Sequence, residues 1–141
     1  MKKVILFVVL VFLYSCSSTK GVSKSALYEV LLTSNDNGAN IKFFEILTEP
    51  KEIMMLLGDE ALSKKIKTED TQNSSFVILN AGPTLENHNK IKIEKVIETP
   101  TQIEVYITDS QKNTPVELSD DNTFHPYSVV KINSKKPIVI K

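Results

Sequence analysis

The chain reads as an α+β domain: mainly antiparallel β-sheet, a sandwich or partly open barrel of about five to seven strands, with one short helix. Three observations predict this. Apolar stretches rich in Val, Ile, Phe and Tyr recur from residue 27 to residue 140, separated by short polar turns. Only residues 49–57 change to a helical period. No strand–helix–strand unit repeats, so nothing calls for a parallel sheet.

The N-terminus stands apart. Lys2 and Lys3 precede ten residues without a polar side chain, Val4 to Leu13. A basic head, an apolar middle and a small residue before a cut is the layout of a secretory signal peptide. The run is shorter than the roughly 20 residues a membrane span needs. Leu13-Tyr14-Ser15-Cys16 resembles a bacterial lipobox, with an aliphatic residue, a small residue and then cysteine. The resemblance implies cleavage before Cys16 and acylation of that residue, so membrane lipid is the first expected partner. Residues 1–15 are then the signal peptide, 16–25 a small polar tether, and 26–141 a single β-rich domain. Cys16 is the chain's only cysteine, so the fold must hold by packing without disulfides. Serine after the cysteine fits an outer-membrane lipoprotein facing the periplasm.

The elements follow in order. Residues 27–33 (LYEVLLT) and 41–47 (IKFFEIL) are rich in β-formers, and Asn37-Gly38 lies between them. Both residues tolerate positive φ, so a hairpin is expected. In 49–57, Pro50 suits a first helical turn, Thr48 can cap it and Gly58 can stop it. Ile53, Leu56 and Leu57 share a face, and Met54 and Met55 are expected as core gap-fillers. DEALSKKI adds a turn or two, and polar residues 67–75 read as a loop. FVILN (76–80) is continuously apolar, which suits a central strand covered on both faces. KIKIEKVIE (90–98) alternates but slips phase near Lys95-Val96, which marks a bulge. TQIEVYITD (101–109) alternates through Ile103, Val105 and Ile107, and should be its hairpin partner. Residues 110–123 are long and polar. FHPYSVVKI (124–132) is a strand reached through Pro126, and IVI (138–140) a short edge strand near lysines.

Composition narrows function. The 17 basic residues are all lysine and face 17 acidic ones. Loss of Lys2 and Lys3 leaves 15 against 17, a net charge of −2. That balance offers no electrostatic footprint for nucleic acid. Without arginine there is no bidentate clamp for phosphate or carboxylate. Two histidines, His88 and His125, lie in loops without metal-ligand spacing. No G-x-S-x-G elbow or glycine-rich phosphate loop exists. The Asp120-Asp121 pair reads as a solvated turn, and SNDNGAN lacks the closing glutamate of a calcium loop. No cofactor and no catalytic residue is expected.

FVILNAGPT, followed some way on by FHPYSVVKI, resembles the PrcB family of small exported, often lipid-anchored proteins. The resemblance spans residues 46–133. It rests on Gly82 and Thr84 at the turn, Pro126-Tyr127 at the closing strand, and Val129, Val130, Lys131 and Ile132 beyond them. It implies a non-catalytic partner of an envelope peptidase. Relatives commonly continue the turn as Thr-Gly-Gly-Tyr, whereas this chain has Thr84-Leu85-Glu86-Asn87-His88-Asn89. Any partner contact made by that glycine loop is therefore changed here.

The leading expectation is a lipid-anchored binding module that holds or stabilises a protein partner, a peptidase by the resemblance. Gly82, Pro83, Thr84, His88, Pro126 and Tyr127 are its candidate contacts, and loops 81–89 and 110–125 its expected contact surfaces. One alternative is a protease-inhibitor-like module whose Gly-Pro-Thr turn presents a wedge. Another is a small hydrolase using His88 and His125.

Overall fold

The computed structural model describes residues 26–85, 91–109 and 123–141. Among these residues, seven strands form two sheets. They are β1 (Tyr28–Ser34), β2 (Lys42–Leu47), β3 (Ser75–Ala81), β4 (Ile91–Glu98), β5 (Ile103–Asp109), β6 (Tyr127–Ile132) and β7 (Ile138–Ile140). One sheet has the order β1-β6-β3-β2 and the other β4-β5-β7. All pairs are antiparallel except β5 with β7. Three short helices, α1 (Pro50–Leu56), α2 (Glu60–Ser63) and α3 (Asp70–Asn73), complete a sheet-dominated α+β fold with no closed barrel.

The central sheet has a core on each face. Toward the helices lie Leu31, Leu47, Phe76 and Val129, packed with Ile53, Leu62 and Ile66. Toward the second sheet lie Val77, Leu79, Ala81, Val130 and Ile132, packed with Ile91, Ile103 and Val105. Alternation along β3 therefore feeds both layers, which is why FVILN carries no polar side chain before Asn80. Burying each such aliphatic or aromatic side chain contributes about 1.5–3 kcal/mol.

The expected hairpin of 27–33 with 41–47 does not form. β1 pairs with β6 and β2 with β3, so the two lie at opposite edges of one sheet. The turn chemistry is present: Asn37 has φ of 71°. The pairing is decided elsewhere, because β3 and β6 have little polar surface to give up and take the two central places. β1 and β2 each keep exposed positions and go to the rims.

The helical layer brings three corrections. Met54 and Met55 are 51% and 79% exposed, not core gap-fillers. Ile53 is the residue α1 buries, and the next two positions rotate to solvent at 3.6 residues per turn. Glu49 rather than Thr48 is the N-cap, with the Glu52 carboxylate accepting the Glu49 N–H at 3.1 Å. The polar stretch 67–75 is not all loop: it holds the single turn α3 and the first residue of β3. There the Asp70 carboxylate accepts the Lys67 N–H at 2.8 Å and the Thr71 hydroxyl donates to the Thr68 carbonyl at 2.7 Å. Local side-chain bonds thus replace the apolar periodicity that would have marked a helix.

In the second sheet β4 and β5 pair as expected, and the bulge falls between Ile93 and Lys95, just before the expected position. β7 is an edge strand, but runs parallel to β5, with Ile103 opposite Ile138. Lys131 of β6 is nearly buried and points to the helical layer. Its ammonium lies 3.6 Å from Asp70 and 3.4 Å from Glu29. Burying a lysine requires such partners, because a lone buried charge costs several kcal/mol.

Candidate functional site

Strand directions sort the loops by end. The chain joins the sheet at Ala26 and Leu27, beside the exit of β6. The Leu27 carbonyl accepts the Asn133 N–H at 2.9 Å and the Ala26 carbonyl accepts the Asn133 side-chain amide at 2.6 Å. Segments 35–41, 82–85 and 123–126 all lie at the opposite end, where β1 and β3 finish and β2 and β6 begin. β5 also finishes there, since Asp109 forms an ion pair with Lys42 at the start of β2.

Four of the candidate contacts, Gly82, Thr84, Pro126 and Tyr127, meet at this end. Gly82 has φ of 72°, in the region that favours glycine. A Cβ there would sit 2.9 Å from the Lys42 nitrogen, so the chain passes hard against the start of β2. Two residues on, Thr84 and Phe124 exchange backbone hydrogen bonds of 2.9 and 2.8 Å. The Ala81 N–H donates to the Pro126 carbonyl at 2.9 Å, a bond that asks for no N–H from proline. Gly82, Thr84 and Pro126 are buried, so their part is to lock the two loops together. Pro83 is half-buried. So is Tyr127, whose ring packs on the helix-side core. Burial, and then the charge of Asp59, raise the pKa of its phenol above the ordinary value.

Residues 35–41 lock onto the same seam. The Gly38 N–H donates to the His125 carbonyl at 2.7 Å, and the Ala39 N–H to the Asn80 side-chain oxygen at 2.9 Å. A Cβ on Gly38 would lie 2.6 Å from the His125 carbonyl oxygen. The His125 ring nitrogen Nδ1 is 3.6 Å from an Asp36 carboxylate oxygen. The Asn37 backbone N–H holds the Asp36 carboxyl below its ordinary range against the opposing effect of burial, with further help from His125. The Ser34 hydroxyl donates to the Asp36 backbone carbonyl instead of addressing the imidazole. This arrangement fastens a turn.

What the seam leaves exposed is mostly outside the motif residues. Ile41 is 67% and Leu85 52% exposed, beside half-buried Phe124 and Pro83 and the polar pair Asp36 and His125. Sequence reasoning singled out neither Ile41 nor Leu85, although Leu85 lies in the expected contact loop 81–89. The available signal was an apolar residue placed one step outside a strand or turn, where alternation gives it no core to face. His88, Cys16, Asp120 and Asp121 lie outside the described residues. Among the described residues, no three His, Cys, Asp or Glu side chains group as metal ligands, and no helix is long and apolar enough to cross a membrane.

The fold and this loop end define a small three-layer α+β domain, with helices, a four-stranded sheet and a three-stranded sheet, and with a hydrogen-bonded loop cluster at the end away from its N-terminal connection. No protein-family model, no curated protein and no solved structure matches the chain.

Proposed function

We propose that the protein is a non-catalytic binding module of the bacterial envelope, anchored by acylated Cys16, that holds a protein partner through the loop end of its sheet. The observation that carries this reading is the separation of the two ends. Residues 16–25 connect at Ala26, and the cluster of 35–41, 82–85 and 123–126 stands at the far end of β1. A seven-residue strand is about 23 Å long, and the ten-residue tether reaches at most about 35 Å. A tether of that reach leaves the loop end free to face the compartment. The backbone bonds at the seam make its exposed side chains a pre-ordered surface, which lowers the entropy cost of binding. The resemblance of the 82–84 and 126–132 motifs to PrcB proteins supports a peptidase as the partner, and serine after Cys16 supports an outer-membrane location facing the periplasm.

The test is cross-linking and co-purification from membranes in mild detergent, comparing the native chain with an Ile41→Asp/Leu85→Asp variant. One partner should be recovered in fixed stoichiometry with the native chain and lost with the variant. Recovery of the lipoprotein without a reproducible partner would count against the module reading. Inhibition of a peptidase by the purified protein would replace it with an inhibitor reading.

A further inference from the structure

Four strands lie at sheet edges: β1 and β2 in one sheet, β4 and β7 in the other. An edge presents unpaired backbone groups, and proteins guard edges with bulges, charges, shortness or cover. β4 is bulged and carries Lys92, Glu94, Lys95 and Glu98. β7 has three residues. β1 is bulged, and the Lys65 ammonium donates to the Leu31 carbonyl. Among the described residues β2, with the sequence KFFEIL, is the least guarded edge: it has no register shift and no proline, and only Lys42 and Glu45 are charged. That is the composition of a segment prone to pair with another strand.

The hydrogen-bonding sides of β2 follow from its neighbours. The Ala81 N–H points to β6, so backbone groups of Leu79 and Val77 do too, and those of Asn80, Ile78 and Phe76 point to β2. Their opposite numbers Phe43, Glu45 and Leu47 make the β2–β3 ladder. Phe44 and Ile46 therefore turn their N–H and C=O outward. Two of the large exposed hydrophobic residues, Ile41 and Phe44, lie beside or on β2 itself.

We infer that β2 is a dimerisation edge whose occupant is β2 of a second copy, paired antiparallel about a two-fold axis at Phe44. Outward-pointing residues must face one another, which limits the registers. An axis at Glu45 or Lys42 sets like charges opposite each other. An axis at Phe44 pairs all five residues from Lys42 to Ile46: Phe44 with Phe44, Lys42 with Ile46, and Phe43 with Glu45 on the other face. The two four-stranded sheets become one. Two-fold, self-complementary contacts of this kind are the commonest in homo-oligomers. The loop end stays open, so the dimer does not depend on the partner-binding reading.

The test uses the full-length chain in bacterial cells, carrying Phe44→Cys and oxidised before a non-reducing gel. Residues of a hydrogen-bonded antiparallel pair have Cα atoms about 5.5 Å apart, within disulfide range. A band at twice the monomer mass is expected for Phe44→Cys and absent for the parent chain. Lys42→Cys and Ile46→Cys should cross-link when the two variants are co-produced and not when either is alone. Adding Ile46→Pro, which deletes an outward N–H and leaves the β2–β3 bonds intact, should lower the cross-linked fraction by about tenfold. A monomeric Phe44→Cys chain would overturn the inference. So would cross-linking at Val30→Cys on the β1 edge as efficient as at Phe44→Cys.

Discussion

Gly82 places a left-handed backbone where any side chain would press on the Lys42 nitrogen. Gly82→Ala therefore combines a conformational cost of about 1–2 kcal/mol with a contact that backbone must yield to relieve. The denaturation midpoint should fall by at least that equivalent, and the loop at 82–85 should lose amide-exchange protection first. A second single-residue prediction concerns the outer face of the three-stranded sheet. The Tyr106 hydroxyl donates to Glu104 at 3.0 Å, and the Gln102 amide donates to the same carboxylate at 3.0 Å. The Tyr106 bond, then that of Gln102, hold the Glu104 carboxyl below its ordinary range. A lowered carboxyl pKa adds stability above the unfolded value, and that stability is lost as pH falls through the folded one. Tyr106→Phe should move the Glu104 titration upward toward an ordinary carboxylate and shrink the acid-side dependence, as read by NMR of the side-chain carboxyl carbon. At this scale the sequence was legible where one residue has one physical job. The turn at Asn37 and the alternation of Ile103 and Val105 are such cases. It was opaque where the job depends on a distant neighbour. Lys131 looked like any strand lysine until Asp70 and Glu29 came beside it.

β3 shows how much an element's environment can be read from its own composition. A run without polar side chains from Phe76 to Leu79 has no side fit for water, so it must lie in the middle of a layered fold. Phe76, fully buried under the helices, anchors that face, and Phe76→Ala should cost about 3–5 kcal/mol in denaturant unfolding. The pairing of elements was less legible. Residues 28–47 carry everything a hairpin needs locally, yet β1 and β2 each find a partner elsewhere in the chain. No local signal records which strand a third and fourth will displace. The α3 turn was hidden for a related reason: it is held by Asp70, Thr71 and their own backbone, not by an apolar stripe. Asp70 also faces Lys131, so Asp70→Ala should cost about 3 kcal/mol, because it strips a buried ammonium and a turn together. Glu29→Ala, at the exposed side of the same lysine, should cost about 1 kcal/mol or less. The contrast between the two separates a buried pair from a solvated one in a single thermal-unfolding series.

For the whole molecule, the proposed anchor and the domain should be separable. Cys16→Ala should abolish incorporation of labelled acyl chains and release the protein from membranes, while its unfolding transition stays where it was. Persistence of the label in that variant would remove the lipobox reading. The candidate contacts divided along similar lines. The motif residues Gly82, Thr84 and Pro126 proved to be the fastening of the loop end, and the surface it offers is made by Ile41, Leu85 and their polar neighbours. Motifs record where backbone is constrained, whereas a contact surface is set by which side chains the constraint leaves over.

The order β1-β6-β3-β2 also governs the sequence of events in folding. Tyr28 is paired with Ile132, and β6 is the neighbour that β1 and β3 share. Until the segment around Ile132 is available, the first strand has no place in the sheet and the central strand has one open side. Pairings so distant along the chain are slow to form, on a scale of milliseconds to seconds. A chain emerging N-terminus first would therefore stay open and pliable over most of its length, and its last quarter would convert it into a domain in one cooperative step.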